Sequence, residues 1–232
     1  MYLLTETASP FALERWAAFF ANFGQFAKGF FYTLGISISA LIVALLLGLI
    51  FGAMSSTHNK VLRGISRVYV EIFQNTPLLV QFVVVFYGIS ILTDGHIMIP
   101  ISLTAILCVG VYTGAYISEI IRTGIEAVPK GQTEAALSQG FTYADTMRII
   151  ILPQAVRTIL PPLTNQVVNL IKNTSTVAII SGADIMFTAK AWAYDTTNYV
   201  PAFAGAAFLY FIMCFPLATW ARRKEEENKK AY

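Results

Sequence analysis

Charge is scarce in this chain. Asp, Glu, Lys and Arg make up 12% of its 232 residues, about half the share of an ordinary soluble domain. Four intervals carry no charge at all: Gly29 to Thr57, Ile72 to Thr93, Ile97 to Ser118 and Thr196 to Ala221. Each exceeds the roughly 20 apolar residues that a helix needs to cross a bilayer, which excludes a water-soluble globule. Cysteine and histidine number two each. Cys108 and Cys214 lie inside apolar runs, where a small buried hydrophobe is the ordinary role, so neither a disulfide framework nor a metal site is expected. The net charge of +3 comes from basic residues scattered through short loops, not from a basic face interleaved with aromatics, and no nucleic-acid partner follows. A Gly-Lys dipeptide is absent as well, so this chain cannot assemble a phosphate-cradling P-loop. With no nucleophile motif either, it is not expected to be an enzyme or to hold a cofactor.

What is present is apolar: 56% of residues are hydrophobic. We expect an all-α integral membrane fold of five transmembrane helices, at about Phe30–Met54, Val68–Leu92, Pro100–Ile121, Thr158–Ile180 and Pro201–Trp220. Gly35, Ser37, Ser39, Gly48 and Gly52 in the first span suit close packing on another helix. Pro77 should kink the second span, and Pro161 with Pro162 should break the fourth early. Residues 1–28, with Glu6, Glu14, Phe11, Trp16, Phe19, Phe20 and Phe23, read as an interfacial segment rather than a cleavable leader. Residues 29–221 form the transmembrane domain, 122–157 a long internal loop, and 222–232 a charged tail. If the N-terminus lies outside, twelve basic residues fall in inner segments against Arg15, Lys28 and Lys190 outside. That bias predicts N-out, C-in. Trp192, Tyr194 and Tyr199 in the last outer loop suit an aromatic belt at the interface.

The loop 122–157 is too long for a simple connector. Thr133 to Gln139 reads as a short helix ended by Gly140 in a left-handed cap, and Thr142 as the N-cap of a second helix running to Leu152-Pro153. Glu134, Ala135, Ala136, Gly140, Ile150, Leu152 and Pro153 resemble the signature loop of permease subunits in bacterial ATP-binding-cassette importers. That resemblance implies the type I importer permease fold and a loop that docks on an ATPase subunit and transmits its closing motion.

From about Gly29 to Trp220 the chain is similar to the polar amino-acid branch of that family, the permeases for histidine, glutamine, glutamate and arginine. The residues that carry the likeness are Thr33-Leu34 with Ser37, Asn75-Thr76-Pro77-Leu78-Leu79-Val80-Gln81, Ala115-Tyr116 with Ser118-Glu119, Arg122-Thr123-Gly124-Ile125, Gly131-Gln132, Leu160-Pro161, Asn165 and Lys172-Asn173-Thr174-Ser175. One departure is that many relatives have Arg-Gly where Gln74-Asn75 stand. The resemblance implies a multi-pass protein of the bacterial inner membrane. Its partners would be a second permease chain, two ATPase subunits that bind ATP and Mg, and an extracytoplasmic amino-acid-binding protein. An ion-gradient-driven transporter is the alternative from another class, and an ATP-driven permease for a different cargo the nearer one.

Polar residues inside spans are functional candidates. Asn165, Asn169, Lys172, Asn173 and Thr176 recur at spacings of three and four, so they share a helix face. Together with Thr174 and Ser175, and with Thr76, Gln81, Tyr112 and Tyr116 on facing helices, they are the candidate substrate path. The competing reading gives Lys172 a purely structural pairing with Glu71 or Glu119.

Overall fold

The computed structural model describes residues 9–230, with side chains at all but 224, 225 and 227–230. The expected N-terminal segment's first eight residues, Glu6 included, and the last two of the tail lie outside the described residues. Every regular element described is helical. A short amphipathic helix α1 (Leu13–Ala21) breaks at Asn22, whose side-chain amide donates to the Ala18 carbonyl at 2.9 Å. The chain then enters α2 (Phe23–Ser55), 33 residues or about 50 Å long.

One face of α2 is a stripe at four-residue spacing, Ala40, Ala44, Gly48 and Gly52, all buried. It packs on α6 (Ile101–Glu126), where Gly110 and Gly114 in turn face Val43 and Leu47 of α2. Small residues on both sides bring the two backbones together, which in lipid is the main source of helix attraction. The expected close packing therefore involves Gly48 and Gly52, whereas Gly35 has nothing within 4 Å of its Cβ position.

The second expected span is divided. α3 (Lys60–Asn75), capped by Asn59, turns through 99° into α4 (Leu78–Val83), which continues through a π turn, Val84–Gly88, into α5 (Ile89–Leu92). Pro77 supplies no N–H and holds Thr76 in an extended conformation (φ −108°, ψ 127°), so the helix cannot continue. The break is thus sharper than the expected kink, and it reaches back to Lys60. α3 is strapped down by three side chains that donate to carbonyls of its neighbours. Ser66 bonds Phe51 O at 2.8 Å, Tyr69 bonds Val111 O at 2.7 Å, and Gln74 bonds Ala115 O at 3.2 Å.

After α6 come α7 (Lys130–Ser138), α8 (Tyr143–Asp145), a second π turn at Thr146–Ile151, and α9 (Leu152–Asn173). Pro161 and Pro162 do not break α9, contrary to the expectation. The helix runs through both and changes only at Thr174, into a 3-10 turn ending at Ile180. Helix geometry satisfies the fixed φ of proline, and the freed carbonyls lie one turn earlier at the half-exposed end of the helix. α10 (Ile185–Thr196) and α11 (Tyr199–Lys230) complete the chain.

Three helices, α2, α6 and the Tyr199–Arg223 part of α11, are long and apolar enough to cross a membrane, and the bent pair α3–α5 would be a fourth. α9 falls short of that measure because Asn165, Gln166, Asn169, Lys172 and Asn173 stand in it. Two apolar cores hold the fold. One joins α2, α4, α6 and α9 around Phe82, Val109, Ile117 and Leu170. The other gathers α1, α2, α10 and α11 around Phe19, Phe26, Ile185 and Trp192. Trp192, expected in an interfacial belt, is instead 4% exposed beneath Phe19 and Phe26, while Tyr194 and Tyr199 are exposed.

Candidate functional site

The last turns of α9 and the middle of α6 enclose an open cavity of about 420 Å³ lined by Tyr112, Tyr116, Gln166, Asn169, Lys172 and Asn173. Helical spacing explains the grouping: Tyr112 and Tyr116 are one turn apart, as are Asn169 and Asn173, with Gln166 and Lys172 on the same side of α9. The two tyrosine hydroxyls lie 3.1 Å apart. Lys172 makes no ion pair among the described residues. Neither suggested partner is free: Glu71 pairs with Arg67 and Glu119 with Arg122. The lysine charge also stands in the last turn of α9, where free carbonyls and the helix dipole favour a cation.

Of the expected path residues, Tyr112, Tyr116, Asn169, Lys172 and Asn173 line this cavity. The others are elsewhere. Gln81 is buried at the elbow, its amide donating to the carbonyls of Phe73 at 3.2 Å and Thr76 at 3.0 Å. It repairs the backbone that Pro77 leaves unpaired, and Thr76 contributes its carbonyl to the same repair. Thr174 is buried and bonds back to Ile171 O at 2.6 Å. Ser175 lines a separate, more apolar recess with Lys172, Phe203 and Tyr210. Asn165 is exposed one turn before Asn169. Gln166, 9% exposed, joins the cavity, and its place three residues before Asn169 is the signal that could have found it.

Sequence reasoning also missed a buried knot beside that recess. Asp184, 1% exposed, caps α10 by accepting from Phe187 N at 2.9 Å and Met186 N at 3.1 Å, and takes a third bond from the Tyr210 hydroxyl at 3.1 Å. The adjacent Ile185 N donates to Thr33 on α2 at 3.1 Å. An Asp directly before an apolar run was the legible sign of a cap. In this link between helices, burial pushes the Asp184 carboxyl up to about 6.

Below the end of α6, the helix–turn–helix expected at 133–153 is present, its first helix beginning three residues earlier at Lys130. Gly140 has φ +87°, and the turn closes with Phe141 N donating to Ala136 O at 3.1 Å and Gly140 N to Leu137 O at 3.0 Å. These are the two bonds of a Schellman cap, which needs a left-handed residue at that place. Thr142 then caps α8, accepting from Asp145 N at 3.2 Å and donating to the Asp145 carboxylate at 2.6 Å. Glu134, Ala135, Leu152 and Pro153 are exposed on this loop, Ile150 is half-buried and Ala136 buried. A groove of about 670 Å³ separates α7 from the end of α6, with Glu134, Lys130, His58 and Tyr143 among its walls. Among the described residues no cluster could hold a metal ion.

Comparison with known proteins gives a consistent answer. Residues 44–225 match the family model described as binding-protein-dependent transport system inner membrane component. The chain is 37% identical over 216 residues to a probable glutamine ABC transporter permease protein of Bacillus subtilis, covering 92% of this chain and 97% of the relative. It is 34% identical over 208 residues to a glutamate/aspartate import permease protein of Escherichia coli, covering 82% and 85%. Among solved structures, a crystal structure of an amino acid ABC transporter with histidines superposes with a TM-score of 0.84 at 31% identity, covering 91% of this chain and 98% of that one. An inward-facing methionine ABC transporter, at 16% identity and a TM-score of 0.69, shares the fold.

Proposed function

The chain belongs to the family of binding-protein-dependent transport system inner membrane components, and from that premise we propose that it is the permease subunit of an ATP-driven importer of polar amino acids. Two such chains, identical or related, enclose the path, and two ATPase subunits carry ATP and Mg beneath them. A binding protein outside delivers the substrate. The chain crosses the inner membrane five times, as α2, the α4–α5 arm, α6, α9 with its 3-10 extension, and α11. Its N-terminus is outside and its C-terminus inside, in keeping with the distribution of basic residues.

The observation that carries this reading is the capped helix–Gly140–helix loop. It presents exposed Glu134 and Ala135 beyond the end of α6, and α9 rises directly from its second arm to the Lys172 cavity. A push on α7 is thereby passed through the wide turn at Thr146–Ile151 to the residues that face the substrate. The cavity supplies a cation and several amides and hydroxyls, the donors and acceptors that a zwitterion with a polar side chain requires. Relatives named for glutamine and for glutamate and aspartate support that cargo class.

The test is Gly140→Asp. Left-handed backbone costs a non-glycine residue about 1–2 kcal/mol, so the cap distorts while the spans are untouched. The variant should assemble in the membrane and hydrolyse ATP without importing substrate. Normal uptake by Gly140→Asp would remove the coupling role of the loop.

A further inference from the structure

α10 is the helix that the chain itself holds least firmly. Its 12 residues extend about 18 Å, well short of the roughly 30 Å hydrocarbon core of a bilayer. It is joined to its neighbours through a left-handed residue on each side, Ser181 (φ +60°) and Thr197 (φ +58°). Non-glycine residues adopt that conformation rarely, and here it makes two sharp joints. Apolar packing against α2 and α11 covers the helix, but that attraction is non-directional and does not fix register. Directional bonds must do so.

The Asp184 knot supplies them. Asp184 Oδ2 accepts from two donors, Met186 N of α10 at 3.1 Å and the Tyr210 hydroxyl of α11 at 3.1 Å. The side chains of the same two residues are walls of the apolar recess beside Lys172, about 290 Å³ in volume. One oxygen therefore ties the α10 wall of the recess to its α11 wall. The knot also reaches α2, where Thr33 accepts from Ile185 N, and Thr174, first residue of the 3-10 turn, neighbours the Tyr210 oxygen. Capping alone does not call for this arrangement. An asparagine caps a helix without a charge to desolvate, and a cap needs no donor from another helix. We infer that Tyr210 is a positioning residue for transport: its bond to Asp184 keeps α10 in register with α11 beside Lys172, so that the short helix moves with the span. Tyr210 acts through the recess walls, with its hydroxyl turned to Asp184 and not to the cargo. This role rests on the importer reading above.

The test uses the complete transporter in proteoliposomes, with ATP inside and the binding protein and labelled glutamine outside, at matched amounts of folded protein. Tyr210→Phe keeps the ring and removes the donor. Asp184→Ser keeps a cap but is too short to reach Tyr210, whereas Asp184→Asn keeps both the cap and the reach. The kcat for import should fall about tenfold in Tyr210→Phe and in Asp184→Ser, the low end of what one charge-assisted hydrogen bond carries, with KM unchanged. Because both changes cut one bond, the double variant should be no slower than either single one. Asp184→Asn should stay within about twofold of wild type, as one hydrogen bond replaces another. Wild-type kcat in Tyr210→Phe, a raised KM, losses that multiply in the double variant, or Asp184→Asn as slow as Asp184→Ser overturns the role and leaves the importer reading standing. Should Tyr210→Phe fail to fold, the two Asp184 variants decide alone. If wild-type vesicles import none of glutamine, glutamate or histidine, the importer reading fails and takes this role with it.

Discussion

Gly48 of α2 lies so close to Ile117 of α6 that a Cβ at position 48 would stand 2.4 Å from the isoleucine Cγ2. Ile117 is β-branched and fully buried, so its side chain has no second rotamer to retreat into. Gly48→Ala should therefore lower stability by about 1–3 kcal/mol, the usual effect of overpacking, and reduce the amount of folded protein recovered in detergent. Gly35→Ala, in open space on the same helix, should leave the melting temperature unchanged or raise it. Equal effects of the two would contradict the packing described.

Gln81 should behave as a structural residue. Its amide reaches two carbonyls at the elbow, those of Phe73 and Thr76. Gln81→Leu keeps the bulk but strands both acceptors, at about 1–3 kcal/mol for buried groups. A thermal melt of purified protein should show the loss, while the KM for substrate in the remaining active fraction should not change. A raised KM at wild-type stability would return Gln81 to the substrate path.

Lys172 should show the opposite pattern. Because Lys172 is in no ion pair among the described residues, Lys172→Gln should leave the melting temperature near that of wild type. A charge-assisted hydrogen bond contributes about 1.5–3 kcal/mol, so uptake at limiting substrate should fall roughly tenfold or more. The measurement is uptake against substrate concentration at matched protein levels. Unchanged uptake would leave the lysine serving only the end of α9.

Stability should also depend on pH through Asp184. Burial raises its carboxyl from 3.8 in the free side chain to about 6, so the folded chain holds this proton more tightly than the unfolded one. The contribution is fully present below about pH 4 and is lost as pH rises through 6, a swing of about 3 kcal/mol at 1.36 kcal/mol per pKa unit. Asn caps a helix as well as Asp does but does not titrate. Asp184→Asn should therefore flatten the difference in melting temperature between pH 5 and pH 7.5. An identical pH dependence in the variant would place the titration elsewhere.

The parts of the fold legible in the sequence are those set by composition and local chemistry. Charge-free runs announce α2, α6 and α11, and Gly140 followed by Thr142 announces a capped turn whose hydrogen bonds depend on those two residues alone. Proline was less readable. Pro77 ends a helix because Gln81 and an extended Thr76 make the ended state comfortable, whereas Pro161 and Pro162 pass within one. The same ring has opposite outcomes according to which donors stand nearby, and those donors come from the tertiary fold. The cavity was half legible for a similar reason. Spacing placed Asn169, Lys172 and Asn173 on one face, but whether Gln81 faces the space depends on a 99° turn that no periodicity encodes.

The stripe of Ala40, Ala44, Gly48 and Gly52 has a mechanical corollary. Two helices whose main chains touch cannot roll or slip past one another without collision, so α2 and α6 travel as a single plank about 50 Å long. Displacement delivered near Glu126 is therefore carried along both helices toward Phe23, and the Pro77 elbow is where α3 and α4 leave that common line.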